Sequence, residues 1–140
     1  MSTNARIGIL NKDKSTDSIY LHWDGYPSHV TPILLRSYNT PEKIRELISF
    51  GDISILGDNV TKPDKSKPHS FNNPQPNTVV AYHRDRQEPW YDTKPLHTEN
   101  KKKLLEPTYV PYIYLFDESK NIWTYTHGTR FRSFSTPIGE

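Results

Sequence analysis

The stretch SIYLHWDGYP, residues 18–27, decides how the rest of the chain is read. β-Branched and aromatic residues fill its first half, and Asp24-Gly25 then breaks it, because Gly accepts turn dihedrals and Asp can bond its own downstream backbone. Successive side chains of a strand point to opposite faces. The spacing therefore puts Ile19, Leu21 and Trp23 on one face, which reads as core. Tyr20, His22 and Asp24 fall on the other, which reads as presented. Upstream, ARIGIL (5–10) is a second β-rich run, and the polar turn NKDKSTDS between them predicts a hairpin.

Downstream the signals change to helix. Thr40-Pro41 is a hydroxyl cap followed by Pro at the first helical position, Ile44, Leu47 and Ile48 fall at helical spacing, and Gly51 supplies the stop. PEKIRELISF (41–50) is thus predicted as a helix. TPILLRSY (31–38) repeats the Thr-Pro start and predicts a shorter one, which could also begin near Pro27. Residues 57–77 carry four prolines and few apolar residues, and are expected to form a long mobile loop. TVVAYHRD (78–85) reads as a third strand. A second long excursion follows, with a short helix at 99–105, and YVPYIYLFDESKNIWTYTH reads as a hairpin turning at 117–121. The expectation is one α+β domain over 1–140: an antiparallel sheet of about five strands, a helical pair on one face, and two long loops.

Composition narrows the classes. Apolar content is 33%, with twelve prolines and six glycines, so much of the chain must be loop; nine tyrosines argue against a disordered chain. Cysteine is absent, which excludes disulfides and thiolate metal sites and fits a reducing compartment. The start MSTNARIGIL has no secretory apolar region, and no run approaches the about 20 residues of a membrane span, so no membrane partner is expected. The net charge of +2 is below what nucleic-acid-coating proteins usually show.

The blocks HWDGYP (22–27), ILL (33–35), Tyr38, LISFGDISILG (47–57) and AYHRDRQE (81–88) occur in an order that resembles a group of small phage and prophage proteins. The likeness runs over about residues 5–90. It implies a phage accessory protein acting on a host factor in the host cytoplasm, and it transfers no catalytic residue.

Two His-x-Asp pairs, His22/Asp24 and His83/Asp85, would each project an imidazole and a carboxylate from one strand face. Four such groups could converge on Mn or Zn. The alternative is that each Asp caps a turn and each His is a sheet residue, and no metal or cofactor is expected. In YHRDRQEPWY (82–91), Arg84 and Arg86 beside Tyr82, Trp90 and Tyr91 offer forked donors and flat rings, as a phosphate-plus-base ligand needs. They could equally be structural ties to Asp24 or Glu88. His22, Asp24, Tyr26, His83, Arg84 and Arg86 form the candidate binding set. Three further basic stretches are Lys62/Lys65/Lys67, Lys101–Lys103 and TRFRSF, where Arg130 and Arg132 alternate with Phe131 and Phe134.

The first expectation is a non-catalytic binding module that neutralises a host defence factor, by occluding a protein or sequestering a nucleotide-like ligand. The second is a small metal- or His-dependent phosphoesterase with His22 or His83 as general base. The third is a nucleic-acid binder resting on the basic patches. The oligomeric state is not specified by the sequence.

Overall fold

The computed structural model describes residues 3–106, 110–127 and 130–139. Strands β1 (Ala5–Leu10) and β2 (Thr16–Leu21) form the expected hairpin, followed by helices α1 (Pro27–Ser37) and α2 (Pro41–Ile48). Then come β3 (Ile53–Ile55), β4 (Val80–Ala81), α3 (Tyr82–Arg86), α4 (Trp90–Thr93), β5 (Leu96–Thr98), α5 (Lys101–Leu105), β6 (Tyr112–Asp117), β7 (Ile122–Thr126) and β8 (Arg132–Phe134).

The class is α+β, but the sheet differs from the expected antiparallel five. Among the described residues it has eight strands, in the order β4-β3-β2-β1-β6-β7-β8, with β5 pairing the far end of β2. It is mixed: β1 runs parallel to β6, and β2 parallel to β3. The cause is visible in β1. With a hairpin partner on one side and β6 on the other, it is central, and all its residues but Arg6 are buried. Strands covered on both faces read as continuous apolar runs, and nothing in such a run states the direction of the neighbour.

Register fixes the faces. Ile7 lies beside Ile19 and Tyr114, and Ile9 beside Phe116, which is opposite Trp123 in β7. These side chains meet Val30, Ile33 and Leu34 of α1 and Ile44, Leu47 and Ile48 of α2 in the main core. The helical pair therefore covers one face, as its apolar spacing predicts. On the other face Leu10, Ile113 and Leu115 pack against Leu104 of α5, so that face is also partly covered.

Helix α2 begins as its sequence dictates. Thr40 has extended dihedrals, its hydroxyl accepts from the Lys43 N–H, and Pro41 occupies the first position, where no N–H is needed. Thr40→Ala is expected to cost about 1 kcal/mol in urea unfolding; no measurable loss would show the cap to be idle. Gly51 closes the segment at φ 76°, left-handed backbone in which a β-carbon would be strained.

Trp23 corrects the reading of residues 18–24. Regular β2 ends at Leu21, Asp24 adopts φ 56°, and the Trp23 side chain lies 44% exposed rather than in the core. The turn falls at Asp24, as the Asp-Gly signal suggests, but regular pairing with β1 already ends at Leu21, so Trp23 lies outside the alternation. The turn is held from elsewhere: Asn4 Nδ2 donates to the His22 carbonyl (2.7 Å), Gly25 N–H to the Thr3 carbonyl (2.8 Å), and the buried Tyr114 hydroxyl to the Gly25 carbonyl (2.7 Å). The core tryptophan is Trp123. It meets Phe116 edge-on at 5.4 Å between ring centres and donates its indole N–H to the Tyr38 carbonyl (2.9 Å).

The segment 78–85 is the second correction. Only Val80–Ala81 is strand, and Tyr82–Arg86 is a helical turn ended by Gln87 at φ 58°. The Asp85 carboxylate accepts from the Ala81 N–H (2.8 Å), a reach-back across the start of α3 that stabilises helix over strand.

Candidate functional site

Asp52 organises the edge of the sheet where β2, β3, α3 and α4 meet. Its carboxylate accepts from the Tyr20 N–H (2.8 Å), its N–H donates to the Thr93 carbonyl (2.7 Å), and its carbonyl accepts from the Tyr82 N–H (3.2 Å). One residue thus ties a strand to two short helices, neither long enough to hold itself. Burial pushes its carboxyl above the ordinary aspartate value, partly opposed by the Tyr20 N–H and by Arg6. Arg6, on the neighbouring strand, bonds the Ser18 hydroxyl (2.9 Å) and carbonyl (3.0 Å), and burial lowers its pKa. Burial raises the pKa of both Tyr20 and Tyr82; the Tyr82 phenol and Asp52 add to it at Tyr20, and Glu88 and Asp52 add to it at Tyr82, where Ser54 and Arg86 oppose it. Both therefore remain O–H donors at neutral pH.

From this centre a band of rings runs in both directions. Tyr20 meets His22 edge-on at 6.0 Å, and His22 tilts onto Trp23 at 4.6 Å. On the other side Phe71 packs on Tyr82 at 5.7 Å, and the Arg86 guanidinium lies over Phe71 at 4.6 Å, 3.6 Å from Glu88. Next in the chain, His83 contacts Trp90 at 5.2 Å and shares Nδ1 with the Glu88 carbonyl (2.8 Å). A carbonyl only accepts, so Nδ1 carries the proton. Trp90 and Tyr91 remain exposed on α4, and Lys94 lies over the Tyr91 ring at 4.8 Å.

Of the candidate set, His22, His83 and Arg86 fall along this band. Asp24 sits at the exposed turn. Tyr26 precedes α1 and packs on His29 instead. Arg84 points the other way, into the protein. It bonds both Asp85 oxygens (2.9 and 3.0 Å), the Val79 carbonyl (2.8 Å) and the Val60 carbonyl, and lies over Phe50. The alternation expected of a strand is lost because Tyr82–Arg86 is helical, which separates Arg84 from Arg86. His22, Asp24, His83 and Asp85 do not form a common ligand set. Asp85 is spent on Arg84 and the Ala81 N–H, and no group of three His, Asp or Glu side chains converges among the described residues.

Asp85 also anchors the 57–77 segment. The His69 side chain is buried 3.4 Å from Asp85, its Nδ1 accepts from the Gln75 N–H (2.9 Å), and its Nε2 donates to the Val79 carbonyl (3.0 Å). Gln75 in turn donates to the Asp64, Lys67 and Pro68 carbonyls. A cavity of about 320 Å3 between this segment and α3 is lined by Ser70, Phe71, Asn72, Asp85, Arg86 and Gln87.

The carboxyls of Asp52 and Asp58 are shifted in opposite directions from the ordinary aspartate value. Arg36 and Ser37 hold the Asp58 carboxyl below its ordinary value of about 4, so its contribution is present above that pH and lost as pH falls through the depressed folded value. For Asp52 the folded value is raised, so the native state binds the proton more tightly and stability falls as pH rises from the ordinary value through the raised one. Melting curves across the acid range are expected to lose acid sensitivity in Asp58→Asn and to lose the opposing slope in Asp52→Asn. Parallel shifts in both variants would contradict the two environments.

Sequence reasoning put Tyr20 on the presented face and Tyr82 beside the arginines, but passed over Asp52 and Phe71. Asp52 follows Gly51 and reads as part of a helix stop; the only signal was its place directly before the strand ISI. No known family profile, curated protein or solved structure matches the chain.

Proposed function

We propose that this protein is a non-catalytic binding module that occludes a partner protein through the aromatic band around Asp52, and that it is a phage accessory protein neutralising a host defence factor in the host cytoplasm. One observation carries the docking reading: Trp23, Trp90 and Tyr91 are 44, 40 and 79% exposed, on elements that Asp52 and the chain adjoining it tie together. Trp, Tyr and Arg are the residue types that dominate interface energetics, and here backbone ties fix them before any partner arrives. The block resemblance to phage proteins supports the host setting. Acid–base chemistry has less support, because the His83 Nδ1 proton and the Asp85 carboxylate are both engaged internally.

Sequestration of a nucleotide-like ligand is the second reading, favoured by the cavity in which Arg86 lies over Phe71. The test is capture from host lysate by the wild type and by Trp23→Ala/Arg86→Ala, with co-purified small molecules analysed by mass spectrometry. The expected result is one host protein retained by the wild type and lost by the variant, at about 2 kcal/mol per anchor, with the melting temperature unchanged. Equal retention by a folded variant would remove the band from the interface. A ligand absorbing at about 260 nm, with no protein captured, would favour the second reading.

A further inference from the structure

Two basic stretches far apart in the chain meet at the opposite end of β2 from the aromatic band. β5 pairs with Thr16–Ser18 and leads into α5, whose Lys101 and Lys102 face Arg130 and Phe131 across a groove of about 720 Å3. Leu105 and Phe131 form its floor and are held from below by the second apolar cluster, while Lys101, Lys102, Arg130 and Glu106 form its rim. The floor is therefore apolar and the rim carries three cations against one carboxylate. We propose that this groove docks an acidic amphipathic segment of a partner protein, with apolar side chains on Leu105 and Phe131 and carboxylates at Lys101, Lys102 and Arg130.

Charge complementarity selects an anionic occupant, and the floor selects among anions. A single-stranded nucleic acid needs free ring faces and a continuous line of cations. Here the Lys101 ammonium already lies 5.4 Å from the centre of the Phe131 ring, and Leu105 offers no stacking surface. An apolar side chain needs neither. Salt-sensitive attraction at the rim and desolvation at the floor are the two ingredients of helix-in-groove recognition. The three consecutive lysines are exposed because α5 buries only Leu104 and part of Leu105, which leaves its polar side to the groove and solvent.

The test uses the full chain and a short fluorescein-labelled peptide with leucines on one helical face and glutamates on the others. Anisotropy should show binding that weakens with added salt, and Lys101→Glu/Lys102→Glu should weaken it about tenfold or more. Arg130→Glu should act in the same direction, and circular dichroism should show both variants folded. Trp23→Ala should bind normally, which separates this site from the aromatic band. Several results overturn the proposal. One is equal binding of a scrambled peptide of equal charge, and another is tighter binding of an oligothymidylate of matched length. Charge reversal could leave binding unchanged. Self-association abolished by the charge reversal would assign the groove to a second copy of the chain.

Discussion

Trp123→Ala is expected to destabilise the protein by about 3–5 kcal/mol, a loss that threatens folding of a domain this size. The ring is 3% exposed, packs on Phe116, and satisfies its N–H on the Tyr38 carbonyl at the junction of α1 and α2. Truncation would empty a cavity beneath the helical pair and orphan that carbonyl together. Trp23→Ala provides the control. Because Trp23 lies outside the core, its loss is expected to change stability by only about 0.5 kcal/mol. Urea unfolding of both variants checks the assignment, and a Trp23→Ala loss as large as that of Trp123→Ala would sink it.

Asp85→Ala is expected to have an effect of similar size, about 3–5 kcal/mol, by a different route. The carboxylate is 4% exposed and holds the Arg84 guanidinium while capping the Ala81 N–H. Without it a half-buried cation loses its counter-charge, and His69 loses its neighbour. Val60 and Val79 would still accept from Arg84, so the 57–77 segment is the part expected to loosen first. Limited proteolysis should then cut after Lys62, Lys65 or Lys67 faster than in the wild type, alongside a lower urea midpoint. Asp85→Asn keeps an acceptor for Ala81 but not the charge, and should fall between the two. A loss below about 1 kcal/mol in Asp85→Ala would show that Arg84 is held by the carbonyls alone.

Sequence carried furthest where one local signal was sufficient. Thr40-Pro41 with Ile44, Leu47 and Ile48 marked α2, and the turn at 117–121 marked the β6–β7 hairpin, because caps, periodicity and turns act over a few residues. What stayed illegible depended on distant partners. β3, β4, β5 and β8 span two or three residues each and exist through their neighbours' hydrogen bonds. Tyr82–Asp85 reads as strand from Val79 and Val80, yet it is helical, with the Asp85 carboxylate bonded back to the Ala81 N–H. Trp23 has strand spacing but lies beyond the end of regular β2. His22, His83 and Arg86 were recognisable as candidates by residue type, whereas the centre that aligns them, Asp52, is an ordinary aspartate until its three backbone ties are seen.

The parallel ladder between β1 and β6 joins segments about a hundred residues apart, and loop-closure entropy must be overcome before that pairing contributes anything. During synthesis the β1–β2 hairpin leaves the ribosome with one flank of β1 unpaired and with Ala5, Ile7 and Ile9 lining an apolar face. It stays so until Asp117 has emerged. The order of events in the cell is therefore set by the last third of the chain: the hairpin and helices can gather early, but the sheet becomes one unit only when β6 inserts beside β1. A nascent or truncated chain ending before that point displays a sticky strand edge, the kind of surface chaperones bind and aggregates grow from.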